Sequence, residues 1–338
     1  MSNPAYASTR AKARRAKLLP DEAYGQLMNM ELAEIARYIQ DLEYRKDIDR
    51  HGSTLRGVDL IETALMENLS MSWGDLIGFC NGELKENIEA YADKYRIDNL
   101  KTLLRGVYQE MTADEISKII SPLTEKDKEQ YARAAEGKNL QEAIEQLEGD
   151  PYQNILREAL EKRKTDSMQP LEDALDVAYY DGLMKRIKTS NAADNAYKKF
   201  VKIEIDIANI KTAIRLRHRG VEGHPELFID GGDIDINVLI VAQNLGEIMN
   251  GIEGTAYHEY LEKGLGDIEQ PNLNGAVSAL EEYVAKESKR FSYLYPVSIL
   301  PILDYLLRKQ REVKNLRAIV RGKDLGLTKE VIKELVVT

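Results

Sequence analysis

Asn209-Ile-Lys211-x-x-x-Arg215 has two counterparts in the chain, Asn99-Leu-Lys101-x-x-x-Arg105 and Asn315-Leu-Arg317-x-x-x-Arg321. The tripeptide Asn-[Leu/Ile]-[Lys/Arg] occurs at these three places and nowhere else in the sequence. The asparagines are nearly evenly spaced, and the interval is the size of a domain, so the pattern predicts one helical unit used three times. A protein made of three similar units is more often a structural component than an enzyme with one active site.

A helical wheel gives the three stretches the same shape. At about 100° per residue, four apolar residues cover one arc, the asparagine lies on one border and the two basic residues lie on the other. Each helix is therefore predicted to have a buried stripe, a border that bonds a neighbouring backbone and a basic border that faces water or a carboxylate. The stripes are Ile97, Leu100, Leu103 and Leu104; Ile207, Ile210, Ala213 and Ile214; and Val313, Leu316, Ile319 and Val320.

The recurring asparagine needs a reason, because asparagine in a helix costs up to roughly 0.7 kcal/mol against alanine. Its return at one place in three copies indicates that it satisfies a specific buried group, which would cost about 1–3 kcal/mol if left without a partner. The alternative is a catalytic role for three equivalent sets of asparagine and arginine. No nucleophile, acid or base recurs beside the motif, so we interpret it as structural.

The rest of the chain has helical periodicity almost throughout. Apolar residues recur at helical spacing in residues 24–39, 58–69, 84–95, 141–147, 155–163 and 171–184. Residues 298–307 are the most apolar helical stretch, either a core helix or a contact surface for another subunit, and Pro301 is expected to kink or start a helix there. Glycine and proline interrupt the pattern between the copies. We therefore predict an all-α fold with helical domains at residues 1–108, 109–223 and 224–338.

Composition excludes several classes of protein. A net charge of −10 over 338 residues argues against nucleic-acid binding, because phosphate contacts need a basic surface. The single Cys80 excludes an internal disulfide framework, and no apolar run approaches the roughly 20 residues of a membrane span. The N-terminal stretch is locally basic, which favours an exposed helix face over a transit peptide or a lipid-binding arm. Its cations are Arg10, Lys12, Arg14, Arg15 and Lys17.

The usual motifs of catalytic and metal sites are missing from the sequence. It contains no phosphate-binding G-x-x-x-x-G-K-[ST] loop, no G-x-G-x-x-G and no H-E-x-x-H. Asp230-Gly-Gly-Asp233-Ile-Asp235 is only superficially like a calcium loop and is interpreted as a turn followed by a helix cap. We expect no catalytic residue, no metal site and no cofactor, and we interpret Cys80 as a buried small hydrophobe.

Three segments carry a resemblance to a known family. They are residues 6–19 followed by Pro20-Asp-Glu-x-Tyr24; Glu204-Ile-Asp206-x-x-Asn209-Ile-Lys211 followed by Arg215; and residues 301–307 running into Glu312-Val-x-Asn315-Leu-Arg317-x-Ile-x-Arg321-Gly322-Lys323. On these residues the chain resembles, over essentially its whole length, the C subunit of the archaeal-type (A/V-type) rotary ATP synthases. That protein is the counterpart of the d subunit of the vacuolar ATPase.

The resemblance implies a funnel of three similar all-helical domains around a pseudo-threefold axis, seated on the membrane proteolipid ring at the cytoplasmic face of the cell membrane. It implies a rotor adaptor without catalytic residues, which holds the D and F subunits of the central stalk and transmits torque between ion translocation and ATP synthesis or hydrolysis. The membrane stator is a further candidate partner. Two alternatives stay open: a helical scaffold unrelated to ATP synthases, and a hydrolase that uses clustered carboxylates around residues 230–235.

Overall fold

The computed structural model describes residues 2–163, 166–221, 223–266 and 271–337. Within those ranges every regular element is helical, with eighteen α-helices and one short 3-10 turn at Pro225–Leu227. The expected all-α fold is therefore confirmed. The chain divides into two compact units, one built from Met1–Gln153 together with Pro296–Thr338 and the other from Asn154–Tyr295.

The first unit combines the two ends of the chain. Its helices are α1 (Pro4–Arg15), α2 (Asp21–Leu27), α3 (Leu32–Gln40), α4 (Arg45–His51), α5 (Gly57–Phe79), α6 (Gly82–Tyr108), α7 (Ala113–Ile119), α8 (Glu125–Ala135), α9 (Leu140–Glu145), α17 (Leu300–Asp324) and α18 (Lys329–Leu335). Helix α17 begins with Pro301 in its first turn, where the missing backbone donor is harmless. Its first seven residues, 300–306, are buried, so the most apolar segment of the sequence is a core helix.

The second unit is continuous in sequence. Its helices are α10 (Gln153–Lys162), α11 (Gln169–Arg186), α12 (Ala192–His218), α13 (Ile236–Val241), α14 (Leu245–Gly251), α15 (Ala256–Leu265) and α16 (Leu273–Leu294). Helices α15 and α16 approach so closely that a Cβ on Gly264 would lie 2.5 Å from the carbonyl oxygen of Gly275. Helix α12 packs against α16, with the rings of Phe200 and Phe291 edge to face at 6.4 Å.

The three motif helices are α6, α12 and α17. The first unit holds the first and third copies, and the second unit holds the second copy. The division into domains 1–108, 109–223 and 224–338 describes repeated units rather than compact ones. It stays a prediction.

One predicted helix is split in two. The apolar stripe of residues 24–39 predicts a single helix, but α2 ends at Leu27 and α3 begins at Leu32. Glu31 starts the new helix, because its backbone N–H donates to the Glu34 carboxylate at 2.8 Å and closes a capping box. The prediction of one helix was wrong. The start of the second helix was not recognised because its N-cap is a glutamate, where serine or threonine is usual.

The three motif helices end in the same way. Each has a residue of positive φ eleven positions after its motif asparagine (99 to 110, 209 to 220, 315 to 326): Glu110 at 58°, Gly220 at 66° and Gly326 at 66°. The next amide then returns to a carbonyl of the last helical turn, at 3.0, 2.9 and 2.8 Å in the three copies. This is the Schellman motif, which satisfies carbonyl groups that the helix leaves open. The repetition therefore extends beyond the motif itself.

Glu110 occupies a conformation that the other two copies give to glycine. A side chain with a Cβ costs about 1 kcal/mol there, so Glu110→Gly is expected to stabilise the first unit by about that amount. The measurement is the free energy of unfolding in urea. Glu110→Ala is the matched control, because it removes the charge and keeps the Cβ. An equal gain from alanine would show that charge, not backbone strain, is responsible.

Candidate functional site

The apolar stripe of each motif helix is buried. All twelve stripe residues are at most 4 % exposed, and the motif asparagines are 5 %, 1 % and 0 % exposed in chain order. Each asparagine side chain therefore lies in the interior, where its amide must find partners.

Each asparagine side chain pairs with both the N–H and the C=O of a single residue that lies much later in the chain. The Asn209 amide donates to the carbonyl of Ile229 at 2.8 Å and accepts from its N–H at 2.8 Å. Asn315 does the same with Val337, at 2.8 and 3.0 Å, and Asn99 with Ser121, at 3.2 and 2.6 Å. The partners follow their asparagines at nearly constant distance in sequence (99 to 121, 209 to 229, 315 to 337). We call this arrangement the asparagine clamp.

The clamp solves a specific problem. A segment that crosses the buried side of a helix without regular structure has a backbone donor and acceptor that water cannot reach. The asparagine side chain supplies the complementary pair, as a neighbouring strand would. The clamp therefore fixes the returning segment against its helix at one defined residue.

Replacing the amide donor of Asn209 with an acceptor should destabilise the second unit. In Asn209→Asp a carboxylate oxygen replaces the donor and faces the carbonyl of Ile229, so we expect a loss of at least about 2 kcal/mol of unfolding free energy. Urea denaturation measures the loss. Asn195→Asp, at an exposed position of the same helix, is the control and is expected to change little. An equally small effect at both positions would contradict a stabilising clamp.

One turn before each asparagine lies a charged residue that bonds to several other segments of the chain, which we call the polar hub. Sequence reasoning missed it. In the second copy Asp206 is 0 % exposed and accepts from the backbone N–H groups of Asp233 and Ile234 and from the Tyr257 hydroxyl, 2.8 Å away. Burial raises the pKa of Asp206, and these hydrogen bonds partly offset the rise. The signal was present in Asp206-x-x-Asn209 and Glu312-x-x-Asn315, one helical turn apart.

In the third copy the hub is Glu312. It accepts from the Tyr44 hydroxyl at 2.5 Å, from the Leu19 N–H at 2.6 Å and from the Lys309 ammonium at 3.0 Å. Lys309 is 1 % exposed and lies 3.9 Å from the centre of the Tyr44 ring. Burial lowers the pKa of Lys309, against the attraction of Glu312. The cluster joins the N-terminal segment to α17.

The first copy reverses the sign of the hub. Its residue is Arg96, which bonds the carboxylates of Asp127 at 3.1 Å and Asp150 at 2.7 Å. Burial opposes the charge, but the two carboxylates raise the pKa of Arg96 above its ordinary value. The position is therefore repeated as a hub, while its charge depends on the segments that surround it.

In the second and third copies the basic border of the motif meets carboxylates. Arg317 and Arg321 both bond Glu62 of α5, the first at 3.1 Å and the second at 2.5 and 2.8 Å. In the second copy Lys211 lies 3.4 Å from Glu281, and Arg215 lies 2.8 Å from Asp173. Lys101 is half-buried and Arg105 is exposed on α6.

The pair of arginines makes the stability of the first unit depend on pH through Glu62. Burial opposes ionisation, but Arg321 and Arg317 outweigh it and lower the pKa of this carboxyl. The stabilisation is therefore present above the ordinary glutamate pKa of about 4.3 and is lost as pH falls through the lowered value.

Glu62→Gln is expected to reduce the unfolding free energy by about 1–3 kcal/mol at pH 7. The difference from wild type should shrink as pH falls below about 4.3, because wild-type Glu62 then becomes neutral as well. Glu67→Gln is the control on the same helix; its pair with Arg50 is more exposed and should contribute less than about 1 kcal/mol. A difference that stays constant down to about pH 3 would argue against the ion pairs as its origin.

Comparison with known proteins gives the family. Residues 7–335 match the family described as ATP synthase (C/AC39) subunit. The chain belongs to this family. The C subunit of the A-type ATP synthase of Haloferax volcanii is 33 % identical over 99 % of this chain and 98 % of its own length. Its namesake from Halorubrum lacusprofundi is 35 % identical over 100 % of this chain and 98 % of its own length, and that from Methanococcoides burtonii is 34 % identical over 99 % and 94 %.

In this member of the C/AC39 family the basic N-terminal stretch bonds to the first unit itself. Arg14 pairs with Asp75 at 2.6 Å, Arg15 with Asp304 at 2.5 Å and Lys17 with Glu43 at 2.9 Å. Lys12 donates to a backbone carbonyl at 3.1 Å, and the Arg10 guanidinium lies 4.6 Å from the centre of the Phe79 ring. The predicted helix face is thus α1, which carries four of the five cations, and Lys17 follows it. Each of the five has a partner in the same unit.

Two carboxylates of residues 230–235, Asp233 and Asp235, also have structural partners. Asp233 pairs with Lys202 at 2.6 Å, and Asp235 accepts from the Asn237 N–H at the start of α13. In the described ranges no group of three histidine, cysteine, aspartate or glutamate side chains is placed to hold a metal ion. Cys80 is 1 % exposed, and burial raises the pKa of its thiol to about 11.

Across the part of the chain that the structure describes, no helix is both long enough and apolar enough to cross a membrane.

Proposed function

We propose that the chain is the central-rotor adaptor of an A/V-type ATP synthase. It seats the central stalk, formed by the D and F subunits, on the proteolipid ring and transmits torque between ion translocation and ATP synthesis or hydrolysis. The observation that carries the proposal is the match to the C/AC39 family over residues 7–335, together with full-length relatives named as the C subunit of A-type ATP synthases. The coarser part, membership of a rotary ATP synthase family, is already given by that match.

A part that transmits torque must resist shear, and α17 is braced along its length. Asp304 bonds Arg15 of α1, and Glu312 bonds Tyr44 and the Leu19 amide. Further along the helix, Asn315 clamps residue 337 and Arg321 bonds Glu62 of α5. At 1.5 Å per residue, ties from residue 304 to residue 321 extend over about 25 Å. Because each tie joins segments distant in sequence, the first unit is suited to move as one body.

The adaptor role also accounts for how the chain uses its polar residues. The repeated asparagines, the hubs before them and most of the basic borders bond to backbone or side chains of their own unit. A catalytic set must keep groups available to a substrate. We therefore propose that the chain has no catalytic residue of its own and acts by position.

The proposal includes an architecture and a location. The three repeated helices support three related helical domains, which we place at residues 1–108, 109–223 and 224–338, so that the clamps of the first two copies reach Ser121 and Ile229 of the following domain. The family resemblance adds a pseudo-threefold funnel on the cytoplasmic face of the membrane, with the membrane stator as a further neighbour. In this arrangement each motif helix belongs to one of the three domains.

The test is removal of the chain from an otherwise complete ATP synthase. We expect the catalytic head to keep ATP hydrolysis while ATP-driven ion transport in vesicles is lost, because stalk and ring are no longer joined. Adding back the purified chain should restore transport, which is the control for damage during preparation. A complex that pumps ions without the chain, or a tagged chain that never purifies with stalk and ring proteins, would refute the adaptor role.

A further inference from the structure

Helix α1 is attached to the first unit by polar contacts rather than by a buried apolar stripe. The side chains that it buries are Ala7, Ser8 and Ala11, while its largest apolar side chain, Tyr6, is 52 % exposed. Helix α3, although shorter, buries two isoleucines. Because the hydrophobic contribution grows with the apolar area that is buried, α1 gains less from burial than α3 does.

The N-terminal end of α1 holds the turn between α5 and α6. The side chain of Asn3, which immediately precedes α1, donates to the carbonyl of Phe79 at 2.7 Å and accepts from the N–H of Asn81 at 2.9 Å. The two contacts resemble the asparagine clamp, although here the partners are two different residues. They fix the beginning of the helix to a distant loop.

The middle of α1 holds the segment that leads into α17. Ser8 donates to the carbonyl of Ser298 at 2.9 Å, and Lys12 donates to that of Pro296 at 3.1 Å. Ser298 is 7 % exposed, so its backbone groups need partners inside the protein. Its hydroxyl in turn accepts from the first N–H of α17 at 3.2 Å. Helix α1 therefore contributes to the order of residues 296–300, where α17 begins.

The attachment is favoured by charge. The twelve residues of α1 include four cations and no carboxylate, whereas the whole chain has a net charge of −10. One pair is open to water, because the carboxylate of Asp75, which bonds Arg14 at 2.6 Å, is 53 % exposed. Salt screens contacts of this kind.

The C-terminal end of α1 is attached more firmly. Arg15 bonds Asp304, which is 0 % exposed, at 2.5 Å. Four residues later the Leu19 N–H donates to the buried carboxylate of Glu312 at 2.6 Å. Buried pairs are screened by salt much less than exposed ones. This end therefore stays attached under conditions that loosen the rest of α1, and it is suited to act as a pivot.

We propose that α1 is a strap that charge holds closed. Closed, it fastens residues 296–298 and the α5–α6 turn; open, it swings about its end at Arg15 and releases both, while the rest of the first unit stays folded. Such partial opening is common for elements that bury little apolar surface. The strap thus decides how firmly the start of α17 is held. It is a property of the isolated chain and does not depend on the proposed function.

Hydrogen exchange of the full chain at two salt concentrations tests the opening. The Debye length falls from about 10 Å at about 0.1 M sodium chloride to about 3 Å at about 1 M. We expect peptides covering residues 4–14 and 296–300 to exchange faster together at the higher concentration, while peptides from α3 stay unchanged. Unchanged exchange in both peptides, or a change in one without the other, would overturn the proposal.

Loss of one acidic partner should open the strap without added salt. In Asp75→Asn both peptides should exchange about two- to fivefold faster at low salt, the range expected for one exposed ion pair. Asp114→Asn is the matched control, because Asp114 forms an exposed pair with Lys118 of α7 at 2.7 Å. Equal acceleration by the control would show general loosening of the unit and would refute a strap.

Two hydroxyls of α1 separate fastening from helix stability. Ser8→Ala removes the bond to the carbonyl of Ser298, so residues 296–300 should exchange faster than in wild type. Thr9→Ala is the control, because the Thr9 hydroxyl donates to the carbonyl of Ala5 within α1 itself. It should leave the exchange of residues 296–300 unchanged. If Ser8→Ala also left that segment unchanged, α1 would not be what holds it.

Discussion

The pairing of a buried asparagine amide with both backbone groups of one distant residue is the interaction on which each repeated unit depends. A long helix with an apolar stripe attracts whatever chain returns across it, but apolar contact does not define a register. The returning backbone has donors and acceptors that cannot stay unbonded in the interior. One asparagine meets both needs, because its amide offers the complementary pair at a single place.

The hubs and ion pairs extend this arrangement along the helix. In the third copy Glu312 lies one turn before Asn315 and joins the N-terminal segment, while Arg317 and Arg321 lie beyond it and join α5 through Glu62. Buried charges of this kind contribute less to net stability than to geometric definition, since desolvation cancels much of their attraction. That balance suits the adaptor role proposed for this chain.

The three copies share the clamp and the closing turn, but the hub inside them and the outer surfaces of two of them differ. The hub is an arginine in the first copy and a carboxylate in the other two, and the outer positions of α7 and α18 differ in polarity. Internal repetition therefore supplies the same clamp three times, while the residues around it diverge.

The sequence by itself determined the all-α class, the three motif helices, their buried stripes and the family, because periodicity, capping residues and a recurring motif are local properties of the chain. It also indicated that Asn99, Asn209 and Asn315 satisfy buried groups. Only the tertiary structure decided which groups these are, how Glu62 and Glu312 unite helices more than 200 residues apart in the chain, and that residues 24–39 form two helices. Partners so distant in sequence leave no periodic trace, since their contact exists only once the chain has folded.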